Sequence, residues 1–187
     1  TMTEAVKDGI TVNLVYDGRA AKVMLNQDKV RQIEEYYAQC ELEGANEHQV
    51  EESQKAVAKM EVIIGDPDRL RAVAEDFIKH YETRVAEGAT VAGKAMFVCS
   101  NRNIAYDFYK IVKELRPKWT EKKICDDGVV LSEKDKKELK PMEKIKLVMT
   151  RNKDDEKDLF DMLGTKEDRK EFDRQFKNPK SNFKIAI

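Results

Sequence analysis

The chain has 187 residues, of which 41% are hydrophobic and 38% charged, with a formal net charge of −1; this mixture supports a core of ordinary size under long solvated faces and excludes a disordered tail of one sign. A near-neutral balance exerts no global pull on nucleic acid, so any such contact must come from a local patch. The sequence has no run of about 18 apolar residues and no cationic-then-apolar leader; with three widely spaced cysteines (Cys40, Cys99, Cys125), only His48 and His80, and no Cys-x-x-Cys pair, it points to a cytoplasmic chain without a disulfide framework or a zinc site.

Residues 10–25 alternate, with Ile10, Val12, Leu14 and Tyr16 leading into Asp17-Gly18 and then Val23 and Leu25. Period-two alternation around Asp-Gly predicts a β-hairpin, one too short to be stable without a surface to dock on. From residue 28 to about 87 the spacing turns helical, with a break around residues 44–48. Its first part carries thin apolar stripes (Val30, Ile33, Tyr37, Cys40, Val57, Met60) and predicts half-exposed helices. Its last part is better defined. Asp66-Pro67 supplies an oxygen cap and a proline at the first helical position, Leu70, Val73, Ala74, Phe77, Ile78 and Tyr81 follow at helical spacing, and Gly88 is a stop.

From Lys94 compact apolar runs alternate with helices. Residues 95–99 form the first run, and Ser100-Asn101 then caps a helix carrying Ile104, Ala105, Phe108, Ile111, Val112 and Leu115, ended by Arg116-Pro117. Trp119 and the tyrosines are read as packing residues. Residues 120–143 are highly charged without a strong apolar period, which predicts an insertion with one surface helix. A second run covers 145–149, Leu159, Phe160 and Leu163 form a helix stopped by Gly164, and Thr165 caps a last helix with Phe172 and Phe176. Phe183, Ile185 and Ile187 make the third run. The prediction is an α/β fold with a parallel sheet of at least three strands and flanking helices.

Three motifs bear on chemistry. Gly88-Ala89-Thr90-Val91-Ala92-Gly93-Lys94-Ala95 matches a nucleotide-binding P-loop except at its last position, where Ala95 lacks the hydroxyl that magnesium requires. Its context is also reversed, helix before and strand after, so a helix-to-strand turn with glycines at positive φ is the better reading. Glu121-Lys122-Lys123 and Asp155-Glu156-Lys157 have the look of metal-dependent nuclease triplets, but no upstream acid accompanies them and they are read as solvated faces; Asp154, Asp155, Glu156 and Asp158 lack the glycine and terminal glutamate of a calcium loop. The third motif is the strand-to-helix junction. Ligands on open parallel sheets sit beyond the carboxyl ends of strands, where helix N–H groups attract phosphate. Ser100, Asn101 and Arg102 stand at one such end, and Thr150, Arg151 and Asn152 at a second. Together they predict a phosphate-facing edge; the alternative is capping by Ser100 or Asn101 with a solvated arginine.

These residues bring a family into view. Residues 5–12 (Ala5-Val6-Lys7-Asp8-Gly9-Ile10-Thr11-Val12) with Tyr16-Asp17-Gly18-Arg19, then residues 93–99 with Arg102-Asn103-Ile104-Ala105, residues 146–150 and residues 183–187 resemble, in order, the R subunits of type I restriction enzymes. The resemblance runs nearly end to end and is weakest at about residues 38–65 and 120–143. It implies the connector between two motor domains followed by a truncated second RecA-like domain: a hairpin connector (1–26), a helical connector (27–90) and a partial motor domain (91–187). In that family a helicase-like ATPase pumps double-stranded DNA before a fused nuclease cuts, using ATP and Mg2+ and working with modification and specificity subunits. The resemblance implies DNA-backbone contact by Arg102, Ser100, Asn101, Thr150 and Arg151. It makes the helix of Arg169, Phe172 and Phe176 similar to an arginine-bearing motor helix, although a structural role for Arg169 remains equally open. It also places the P-loop, the acidic box and the nuclease elsewhere, so no catalytic residue, metal or bound cofactor is expected in this chain. The competing readings are a non-enzymatic scaffold for subunit assembly and a self-contained phosphate-binding domain.

Overall fold

The computed structural model describes residues 64–88 and 93–187, together with Lys7 and Gly9. The expected hairpin at 10–25 and the helices before residue 64 lie outside the described residues.

The first described helix, α1 (Pro67–Ala86), starts as its sequence dictates: the Asp66 side chain accepts the Arg69 N–H at 3.3 Å, and Pro67 occupies the first turn. Leu70, Ala74, Ile78 and Tyr81 fall once per turn on one stripe and are all buried. Strand β1 (Ala95–Met96) leads into α2 (Arg102–Leu115), which presents Ala105, Phe108, Tyr109 and Val112 to the same core. The rings of Phe97 and Phe108 stack at 3.9 Å, and the Phe77 ring meets Phe108 edge-on at 5.9 Å. Full burial of a ring such as Phe108 contributes about 1.5–3 kcal/mol. Helices α1 and α2 thus share one core.

Pro117 ends α2, and Pro117–Thr120 turns as a short 3-10 helix that places Trp119 edge-on to Tyr81 at 5.5 Å. Within 120–143 the single helix is α3 (Glu133–Glu138), which buries nothing and is held by a Ser132/Asp135 capping box. The segment is nonetheless stitched to the body: Leu139 and Met142 are buried, Lys123 pairs antiparallel with Met142, and the Asn182 N–H bonds to the Ile124 carbonyl at 3.1 Å. Two isolated apolar residues suffice for this, which is why no periodicity announces it.

Strand β2 (Ile145–Lys146), α4 (Lys157–Leu163), α5 (Lys166–Lys177) and β3 (Ile185–Ala186) complete the order. The strands form one parallel sheet ordered β1-β3-β2, with Ala95 and Ile145 both paired to Ile185. Pairing extends past the named strands through Phe97 N–H to Ala186 O and Val148 N–H to Ile187 O, each 2.8 Å. The fold is thus a small open α/β sheet flanked by helices, as expected for a truncated parallel domain. Ile145, Leu147 and Ile185 face α1 and α2 in the main core. The opposite face is covered only in part by Phe172 and Phe176 of α5, which pack on Met142, Phe183 and Ala186. Met96 and Val98 on that face stay 68% and 81% exposed, unusual for a parallel sheet, whose two faces are ordinarily both covered. Among the described residues no helix is long and apolar enough to cross a membrane.

Candidate functional site

The carboxyl ends of β1 and β2 bring together the residues that the sequence singles out. Asn101 has extended backbone and caps α2, its side-chain oxygen accepting the Ile104 N–H at 2.9 Å. Capping therefore falls to Asn101, while Ser100 is exposed beside it. Arg102 opens α2 and reaches across to the loop after β2. Its Nε donates to Asp155 Oδ1 at 3.1 Å, and its Nη2 donates to both Asp155 oxygens at 2.7 and 2.6 Å and to the Thr150 carbonyl at 2.9 Å.

Asp155 departs from the expectation that its triplet is a solvated face. Its side chain is only 5% exposed, against 32% for Arg102. Besides the arginine it accepts the Asn152 N–H at 2.6 Å, and its own N–H bonds back to the Asn152 carbonyl at 3.2 Å. Burial pushes this carboxyl up, but the Asn152 N–H and the Arg102 guanidinium outweigh it and hold Asp155 below the usual aspartate value. The partner that buries Asp155 lies 53 residues away in sequence, so no local pattern could have announced it.

Arg151 occupies a different environment. Its guanidinium carbon sits 4.4 Å from the centroid of the Phe160 ring on α4, and its Nε is buried without a hydrogen-bond partner among the described residues. Aromatic contact orients the cation without neutralising it. Thr150 lends its carbonyl to Arg102 and is otherwise exposed. Arg169 donates to the Gly164 carbonyl at 3.3 Å, which gives it a structural bond at the start of α5. Behind this edge runs an open groove of about 500 Å³ between α5 and the half-covered sheet face, lined by Met96, Val98, Val148, Phe172 and Phe176, with Asn101, Arg102 and Arg169 at its polar end.

The described ends of the P-loop-like segment, Gly88 and residues 93–95, lie at the opposite end of the sheet. Gly88 and Gly93 both have positive φ, 66° and 62°, in keeping with a helix-to-strand turn. Lys94 Nζ donates to the Phe183 carbonyl and lies 5.0 Å from the centroid of the Phe176 ring. Ala95 is already in β1, and the Tyr81 hydroxyl ties the Gly93 carbonyl at 2.8 Å. A lysine committed to a protein carbonyl, followed by a strand and lacking the adjacent hydroxyl, does not fit ATP and Mg2+. Nearby, Asp126 pairs with Lys144 at 3.0 Å and with Lys184 at 3.3 Å, anchoring the amino ends of β2 and β3.

Over 186 residues, 100% of its length, the chain is 29% identical to the type I restriction enzyme HindI endonuclease subunit of Haemophilus influenzae. It is 27% identical, over 98% of its length, to the provisionally named type I restriction enzyme MjaIXP endonuclease subunit of Methanocaldococcus jannaschii. In both comparisons the chain spans only 15% of the relative's length. No family model and no solved structure matches it.

Proposed function

We propose that this chain is a segment of the motor and endonuclease subunit of a type I restriction enzyme, in which it supplies DNA-backbone contact and interdomain linkage. The observation that carries this reading is similarity along essentially the whole chain to two proteins named as endonuclease subunits. On this reading residues 91–187 are a partial second RecA-like domain, for which the open parallel sheet is the support, and residues 1–26 and 27–90 are its connector segments. Its carboxyl edge, with Ser100, Asn101, Arg102, Thr150 and Arg151, would face one strand of the duplex. Gripping phosphates suits a motor because it is independent of base sequence. ATP and Mg2+ bind elsewhere in the whole subunit, which acts in the cytoplasm with modification and specificity subunits.

Reversing charge at Arg102 and Arg151 together in the full-length subunit tests this. Translocation should fail while assembly with the other subunits persists. If assembly fails instead, the segment is a scaffold, a reading that the exposed Met96 and Val98 favour.

A further inference from the structure

The two arginines at the sheet edge are in opposite states. Arg102 has five N–H donors, and three of them are committed: the one on Nε and both on Nη2 go to Asp155 and the Thr150 carbonyl. Its charge is met by a carboxylate that is itself almost wholly buried. An arginine so neutralised displaces few counterions when a phosphate approaches, and counterion release is the main source of backbone affinity. Arg151 is hydrogen-bonded to no carboxylate among the described residues, and only the more distant Asp168 feels its charge; it rests on an aromatic ring with an unsatisfied Nε.

The bonds of Arg102 and Asp155 also dictate the path of the chain between them. Arg102 holds the carbonyl of Thr150, the residue directly before Arg151, while Asp155 holds the N–H of Asn152, the residue directly after it. Arg151 is therefore clamped on both sides by one ion pair, with Phe160 as a shelf beneath its guanidinium.

Building on the DNA-contact reading above, we propose that Arg151 is the phosphate-contacting cation at this edge, and that the Arg102–Asp155 pair is a positioning latch that holds it in place. The latch shapes the loop at residues 150–155 and does not itself touch DNA.

The test is binding of the full-length subunit to a duplex oligonucleotide of arbitrary sequence, measured as log affinity against log salt. Arg151→Gln should weaken binding and reduce the salt slope by about 0.9, the loss of one phosphate contact. Arg102→Gln combined with Asp155→Asn, which replaces the ion pair by two neutral amides, should leave the slope unchanged. Asp155→Asn alone frees the charge of Arg102 but loosens the loop, so it should weaken binding; the exchanged pair Arg102→Asp with Asp155→Arg should recover part of that loss. If Asp155→Asn instead tightens binding, or if the double amide variant lowers the slope by about one while Arg151→Gln does not, Arg102 is the contact and the latch proposal is overturned. If the slope is unchanged in every variant, the DNA-contact reading itself fails.

Discussion

Gly164 separates α4 from α5 with φ 65° and ψ −179°, a region that only glycine occupies comfortably. A Cβ placed there would sit 2.8 Å from Cβ of Asp168, inside the capping box that starts α5. Gly164→Ala should therefore destabilise the protein by about 1–3 kcal/mol, read by chemical unfolding. Lys94 illustrates a different kind of constraint. Burial, helped by Lys184 and opposed by Asp126, pushes its ammonium down to about 8 from an ordinary value of 10.5. Between those values the unfolded chain holds the proton more often than the folded one, so the contribution of Lys94 to stability rises with pH across that window and is level below it. Unfolding measured from about pH 7 to about pH 10 should show this rise, and Lys94→Met should flatten it. Neither environment is visible in the sequence, where Lys94 reads as part of a P-loop match. A lysine's chemistry depends on what packs over it, here Phe176 and Phe183 from far along the chain.

Helix starts at Asp66, Asn101 and Thr165 were legible because each cap bonds a residue three positions on. The capping box of α5 makes this quantitative: Thr165→Ala should cost about 1 kcal/mol, measurable as a lower unfolding midpoint. Apolar spacing likewise identified the buried faces of α1 and α2. Phe108→Ala, which removes the ring stacked on Phe97, should cost about 3–5 kcal/mol. Strand order was not legible. Periodicity names the residues that face a core but not their neighbours across the sheet, so nothing local to Ile185 puts it between Ala95 and Ile145. The same limit explains the candidate site. Arg102 and Arg151 could be selected from their places at strand ends, but the ion pair joining Arg102 to Asp155 spans 53 residues and had no local signature.

At the scale of the molecule, the proposed reading makes this segment a part that holds DNA while another part of the subunit uses ATP. The purified chain should show no DNA-dependent ATP hydrolysis; measurable turnover by this polypeptide would overturn that division of labour. The sheet also has a consequence in time. Its middle strand is the last of the three along the chain, and β1 and β2 reach each other only through it. On a ribosome, residues 95–96 and 145–146 emerge before the strand that pairs with them among the described residues, and those edges stay open until Ile185 and Ala186 have been synthesised. Such late, distant closure slows folding and leaves apolar strands exposed meanwhile. In pulsed hydrogen exchange during refolding, the amides of Phe97 and Val148, which bond to Ala186 and Ile187, should become protected together, in a single late step.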